Sequence, residues 1–255
     1  TSFDPKKKSY NLIDKNKKDI IFNALQGKNG EDGIAQSYLE YLRIPYTHSG
    51  VISSYNAMNK KISKEIFKKN NILSPKYFTL NKRDFSKIKL SKFIKRKKIK
   101  FPIIVKPTNE GSSIGVKICK NIIEANKFAK VLFKNYIELI FETYIGGQEI
   151  QVAVINGMPL GAIELKPNRQ FYDYKAKYTK AAKTKHIMPA NLKKDKYKEV
   201  LKIAKKTHNA LDCKGITRSD FKFFKNKFYL LEINTQPGMT SLSLVPEIAN
   251  FRGIN

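Results

Sequence analysis

Thr-Arg-Ser-Asp-Phe-Lys-Phe-Phe-Lys-Asn-Lys-Phe-Tyr-Leu-Leu-Glu-Ile-Asn-Thr-Gln-Pro-Gly-Met-Thr-Ser, residues 217–241, decides how the chain folds. Two β-prone runs, Phe221 to Phe224 and Phe228 to Ile233, flank Lys225-Asn226-Lys227, which reads as a hairpin turn. Pro237-Gly238 then breaks the chain. Residues i and i+2 of a strand share a face. Arg218 and Asp220 therefore point the same way, and so do Glu232 and Asn234. If the hairpin brings those faces together, three oxygen-bearing side chains converge beside an arginine. Carboxylate and amide oxygens suit Mg²⁺ alongside phosphates. A wet strand face carrying ordinary surface charges is the other reading. The polar loop Thr235 to Ser241 is well placed to offer backbone N–H groups to an oxyanion.

Upstream, a second hairpin is signalled by Asn156-Gly157 between Gln151–Ile155 and Met158–Glu164. Tyr197, Val200, Leu201, Ala204, His208 and Leu211 mark a long helix. Ile103 to Lys106 reads as a strand stopped by Pro107, Ile122 to Phe133 as a helix, and Leu244 to Asn250 as a last helix. Met58, Ile62 and Ile66 recur every four residues, so Asn59 to Asn70 is expected to be an amphipathic helix. Nearer the start, the apolar run Ile20 to Ala24, the loop Gly27 to Gly33 and a helix Ile34 to Leu42 form an α/β pattern. The class is α+β, with largely antiparallel sheets after about residue 59.

Further polar groups accompany these elements. Lys106-Pro107-Thr108-Asn109-Glu110-Gly111-Ser112-Ser113-Ile114-Gly115 offers a cation, hydroxyls and backbone N–H groups to phosphates, or is an ordinary flexible loop. It is no Walker loop, because no Gly-Lys-Ser/Thr opens a helix. Glu142 and Glu149 flank Gly146-Gly147, a hinge that holds a nucleoside or merely connects. Phe171 to Tyr178 packs four aromatics among charges: a lid over a polar ligand, or a surface loop.

Composition narrows the classes. The chain has 255 residues, 41% hydrophobic and 11% aromatic, enough for a sizeable core. No apolar run approaches the ~18 residues of a membrane span, and Thr1 to Lys8 has no signal-like apolar core. A cytosolic protein is expected. Cys119 and Cys213 are too few for a disulfide framework. His48, His186 and His208 share no metal-ligand spacing and read as surface or loop residues. The net charge of +29 raises nucleic-acid binding, but only six of the 50 basic residues are arginine and the lysines are dispersed. Base readers favour arginine. The one dense cluster, Lys92 to Lys100, reads as a solvated face or loop, with a polyanion contact as the alternative.

In order and spacing, these motifs resemble bacterial D-alanine–D-alanine ligases. The matching stretches are Gly30 to Gly33, Pro45 to Thr47 with Ser49 to Val51, Lys60, Ile104 to Pro107 and Glu110 to Gly115. Phe171 to Tyr178 follows, then Cys213 to Gly215 with Arg218 and Asp220, and finally Leu231 to Ser241 through Pro246. The match spans roughly residues 20 to 250. The resemblance implies an ATP-grasp fold, in which two α+β lobes clamp ATP. It divides the chain into an N-terminal α/β remnant (1–58), a central lobe (59–141) and a C-terminal lobe (142–255).

The same resemblance implies ATP-driven joining of two D-alanines through a D-alanyl phosphate, for peptidoglycan precursors. It implies two Mg²⁺ ions (Mn²⁺ an alternative) on Asp220, Glu232 and Asn234. Lys60, Lys106 and Lys177 are expected on phosphates, and Glu142, Ile145 and Glu149 on adenosine. Ser112 and Tyr178 are expected to close a loop over the D-alanine site. Arg218 and the N–H of Gly238 would form the oxyanion hole, and Ser243 would bind the second carboxylate. A homodimer is implied, without a specific nucleic acid or membrane partner.

Thr1 to Lys18 carries no match to the family's opening segment, whose glutamate binds the first ammonium, and the chain stops soon after Pro246. A truncated chain is the expectation. Gln26 stands where many relatives carry histidine. Other readings are a D-alanine–D-lactate or other carboxylate–amine ligase (Tyr178 favours an amine nucleophile), a polyanion-binding protein, or an inactive fragment that binds ATP.

Overall fold

The computed structural model describes residues 20–87, 89–111, 113–166 and 184–254, together with Ile13. The segment Phe171–Tyr178 and Ser112 lie outside them. The expected strand at Ile20 to Ala24 is reduced to one parallel bridge, Ile21 to Tyr46. Three helices follow: α1 (Ile34–Tyr41), α2 (Val51–Met58) and α3 (Lys60–Lys69). Asn59 caps α3, its side chain accepting from the N–H groups of Lys61 and Ile62. Such a cap satisfies donors that the first helical turn leaves open.

Helix α3 forms where the amphipathic helix is expected, with Ile66 and Phe67 at an apolar core, but charge also enters its buried face. The 58/62/66 stripe is only partly covered, and the buried face carries Lys60, Ser63, Lys64 and Phe67. Phe67 belongs to an apolar core, whereas Lys60 and Lys64 face other charges. Apolar periodicity finds this helix but not its two buried lysines, whose burial is compensated by ion pairs.

A four-stranded antiparallel sheet comes next, in the order β1 (Tyr77–Asn81), β4 (Glu138–Thr143), β2 (Ile103–Pro107), β3 (Lys117–Cys119). The short helices α4 (Lys82–Lys87) and α5 (Leu90–Arg96) follow β1, and α6 (Ile122–Leu132) connects β3 to β4. Alternation sets the two faces of this sheet. Ile103, Val105, Leu139 and Phe141 join Leu90, Ile94, Ala125 and Ala129 in one core. Lys106 and Glu142 face the other way. Pro107 ends β2 within the strand rather than just beyond it. The basic cluster Lys92 to Lys100 is largely the outer side of α5, anchored by buried Leu90, Ile94 and Ile99.

The second sheet is five-stranded and antiparallel, in the order β7 (Lys185–Ile187), β6 (Met158–Lys166), β5 (Gln148–Ile155), β8 (Ile216–Phe224), β9 (Lys227–Asn234). Helix α7 (Lys194–Ala210) covers one face, packing Val200 and Ala204 on Ile150, Val152 and Phe221. Helix α8 (Leu244–Phe251) covers part of the other, with Val245 and Ile248 against Ala153 and Ile163.

Both hairpins form. Lys225 and Asn226 both have positive φ, 48° and 62°, as do Asn156 and Gly157 at 46° and 77°. The turn at 225 is therefore a two-residue loop rather than three, matching the strand twist. A bulge lies opposite the step from Asp220 to Phe221: Asp220 pairs with Glu232, and Phe221 with Leu230. The extra residue is Leu231. It reverses the alternation of β9, so Leu230 enters the α7 core while Glu232 turns to the opposite face.

Of the histidines read as surface or loop residues, His48 lies in a loop though buried, and His208 departs by being buried within α7. His48 is buried beside the Phe22 ring, and His208 is 2% exposed with Nδ1 2.9 Å from Thr217 Oγ1. Burial holds the pKa of each below the usual histidine value. His186 is partly exposed, 2.7 Å from Glu247. Cys119 and Cys213 are buried free thiols.

Candidate active site

The face of the second sheet not covered by α7 carries polar rows. In one, Ala153, Arg218 and Asn234 stand side by side on β5, β8 and β9; in the next stand Gln151, Asp220 and Glu232. The third pairs Glu149 with Lys222, their charges 2.9 Å apart. Arg218 folds back along its own strand. Its Nε and Nη2 donate to the two oxygens of Asp220 at 2.8 and 3.1 Å. Such a fork–fork pair is strong and directional.

The first sheet and α3 supply the opposing wall. Glu142, 1% exposed, ion-pairs with Lys106 at 2.6 Å and with Lys64 at 3.0 Å. Burial alone would raise the Glu142 pKa, but the two lysines overcome it and hold the carboxyl at about 2. Burial pulls the Lys64 pKa below the usual lysine value against the attraction of Glu142. Lys60 is likewise lowered by burial, countered chiefly by Glu232 3.8 Å away. Its ammonium also donates to the carbonyl of Glu110. Helix α3 therefore sends Lys60 toward the second sheet and Lys64 toward the first.

Between the walls lies a cleft of about 300 Å³, lined by Glu31, Lys60, Gln151, Arg218, Gly238 and Ser243 among others. It adjoins a polar slot of about 80 Å³ lined by Lys60, Lys106, Glu142, Glu149, Asp220 and Glu232. Lys60 and Glu232 border both. Gly238 packs against Ser243, whose Oγ would have to shift to admit a Cβ there, 2.8 Å away. Ser243 in turn accepts from the Thr240 N–H at 3.1 Å, closing the loop after β9.

Most expected site residues meet here, from segments far apart in sequence. Ile145 lies in the short link between β4 and β5, partly buried, and borders neither cavity. Ser112, Lys177 and Tyr178 lie outside the described residues.

Other residues of the site carried no individual sequence signal. Glu31 is 9% exposed in the larger cleft; burial raises its carboxyl pKa, and Glu232 adds to the rise. Its place inside the matched Gly30–Gly33 run was the available clue. Gln236 is 1% exposed and ties the loop after β9 to the N-terminal segment. Its side chain donates to Asn23 Oδ1 and the Leu25 carbonyl and accepts from Gln36 at 3.1 Å. Gln26 donates to its backbone carbonyl at 3.0 Å.

The donor chemistry suits a hard divalent cation. Asp220 and Glu232 are cross-strand partners, and Asn234 adds an amide oxygen one step along the same face. No group of three His, Cys, Asp or Glu forms a complete cage among the described residues. Two carboxylates and an amide would leave the remaining positions to water and phosphate oxygens, the usual arrangement for Mg²⁺.

Two antiparallel sheets clamping a slot, with Lys60, Lys106 and Glu142 on one wall and Asp220 and Glu232 on the other, define an ATP-grasp enzyme. Residues 66–255 match the family model described as D-ala D-ala ligase C-terminus. The chain is 57% identical over 241 residues to a D-alanine–D-alanine ligase of Pelagibacter ubique, covering 94% of this chain and 77% of the relative. It superposes on the crystal structure of D-alanine–D-alanine ligase from Bacillus anthracis with a TM-score of 0.84 at 35% identity, covering 96% of this chain and 79% of that one. For the same enzyme complexed with ATP the TM-score is 0.82 at 32% identity, covering 96% and 78%. The chain belongs to the D-alanine–D-alanine ligase family.

Proposed function

We propose that this chain joins two D-alanines at the expense of ATP, through a D-alanyl phosphate. The observation that carries the reading is the polar slot, where Lys60, Lys106 and Glu142 face Asp220 and Glu232.

In this reading Lys60 and Lys106 meet the phosphate chain. Positive groups there neutralise charge on the transferring phosphoryl. Glu142 fixes Lys106 within hydrogen-bonding distance and, with Ile145 and Glu149, borders the nucleoside. Asp220, Glu232 and Asn234 hold the divalent cation, Mg²⁺ as two ions or Mn²⁺, which supplies charge neutralisation when bound. The first D-alanine carboxylate attacks the γ-phosphorus and ADP leaves. The second D-alanine's amine attacks the acyl phosphate, and phosphate departs. The oxyanion that develops between those events is received by Arg218 and the Gly238 N–H. Ser243, beside Gly238, takes the second carboxylate. Lys177 joins Lys60 and Lys106 on the phosphates, and Ser112 and Tyr178 close over the D-alanine site, where water must be excluded because acyl phosphates hydrolyse.

The product's use in peptidoglycan precursors, a cytoplasmic location and a homodimer belong to the same proposal and rest on family membership. No helix among the described residues is long and apolar enough to cross a membrane. The test is to supply ATP, Mg²⁺ and D-alanine and follow phosphate and dipeptide together. Equal amounts of the two support the reading, and phosphate without dipeptide overturns it.

A further inference from the structure

Gln151 is 1% exposed, yet its side-chain oxygen accepts no hydrogen bond among the described residues. Burying an amide oxygen without a partner is costly, and such an atom in a native fold calls for an explanation. The position supplies one. Gln151 stands directly opposite Asp220, which stands opposite Glu232, so all three share one face of the sheet. Its side chain borders the larger cleft together with Arg218.

Arg218 spends two donors on the two oxygens of Asp220. In that position it lines the cleft but competes with a cation for the carboxylate. A divalent cation on Asp220 and an arginine turned to the reacting carbonyl both require the fork to let go. The donors it releases then need an acceptor. Arg218 is the diagonal neighbour of Gln151 across the β5–β8 pair, within reach of a long side chain.

We propose that Gln151 is a positioning residue: its amide oxygen receives Arg218 when a divalent cation displaces the arginine from Asp220. The inference rests on the assignment of Asp220, Glu232 and Asn234 to the cation. The Gln151 oxygen, without a hydrogen bond among the described residues, gains one when the arginine reaches it. The buried amide thereby biases the arginine toward its working position.

The test is a titration of the whole protein with Mn²⁺, reading free ion by electron paramagnetic resonance in the presence of a non-hydrolysable ATP analogue. Gln151→Leu, of similar size and without an acceptor, should weaken Mn²⁺ on the order of tenfold, the size of a lost bond to a charged donor. Gln151→Glu should bind Mn²⁺ at least as tightly as the wild type, and it carries the test if the leucine variant does not fold. In an Arg218→Met background, Gln151→Leu should make no further difference, because the competitor is gone. Equal Mn²⁺ affinity for wild type and Gln151→Leu overturns the inference. So does an undiminished loss in the Arg218→Met background, which would mean direct action on the cation. No Mn²⁺ binding by the wild type would overturn the metal assignment itself, a failure distinct from the other two.

Discussion

Helix α3 reaches β4 twice, one turn apart, with different physical consequences. Lys61 meets Glu138 at 3.0 Å with side chains 42% and 27% exposed; Lys64 meets Glu142 at the same distance with side chains 0% and 1% exposed. The first pair gains little over hydration by water. The second has surrendered its water, so each charge depends on the other and on Lys106. Beside them the Arg218–Asp220 pair is intermediate, 16% and 8% exposed at the edge of a cleft. The lesson concerns exchangeability: a sealed triad fixes one wall of the site, whereas pairs at the cleft edge can trade partners with a ligand. Lys60 shows both characters, buried along its length yet reaching Glu232 at the opening.

Removing the shared carboxylate is the severest way to break this contrast. Glu142→Ala strands two lysines in a dry setting and should cost about 3–5 kcal/mol of stability, the usual penalty for breaking a buried pair. Denaturant unfolding of the two proteins measures it, and a loss below about 1 kcal/mol would show that water reaches the triad. Glu232→Gln sharpens the other side. The site edge tolerates the change, so stability should move by less than about 1 kcal/mol. Metal-dependent turnover should nevertheless fall on the order of a hundredfold or more, because the phosphates lose neutralisation. Near-normal turnover would remove Glu232 from the metal set.

Acid separates the walls more gently. The Glu142 carboxyl titrates at about 2 in the fold against an ordinary value of 4.5. A depressed carboxylate gives its stabilisation in full above the ordinary value and loses it as pH falls through the folded one. That contribution should thus be intact at pH 5 and above and disappear between about 4.5 and 2. Unfolding midpoints across that range should fall less steeply in Glu142→Gln; parallel slopes would assign the acid sensitivity elsewhere. The smallest effect is expected at the exposed pair. Lys61→Ala should cost no more than about 1 kcal/mol, decreasing with added salt. A larger, salt-independent loss would dissolve the distinction between the two turns of α3.

Much of the second sheet is legible in residue order. Asn156-Gly157 and Lys225-Asn226 announce their turns, and Arg218 with Asp220 share a face because strands have period two. The matched motifs also point to the residues that line the slot. By contrast, β1 is only five residues long, β4 carries its apolar residues consecutively, and α5 hides its anchor residues Leu90 and Ile94 among lysines. Helix α3 is legible as an amphipathic helix, but the burial of Lys60 and Lys64 on it is not.

The sequence alone determined the local elements, their turns and the chemical kinds of side chain available to a nucleotide and a cation. These follow from short-range periodicity, turn conformation and donor chemistry. Tertiary structure decided which of those groups meet. Lys64 finds Glu142 across 78 positions, Gln36 finds Gln236 across 200, and the bulge at Leu231 turns Glu232 toward Asp220. Gln151, whose side-chain oxygen accepts no hydrogen bond among the described residues, meets Asp220 because β5 lies beside β8. Pairing across such separations depends on the free energy of the whole packed core, and no window of sequence contains that information.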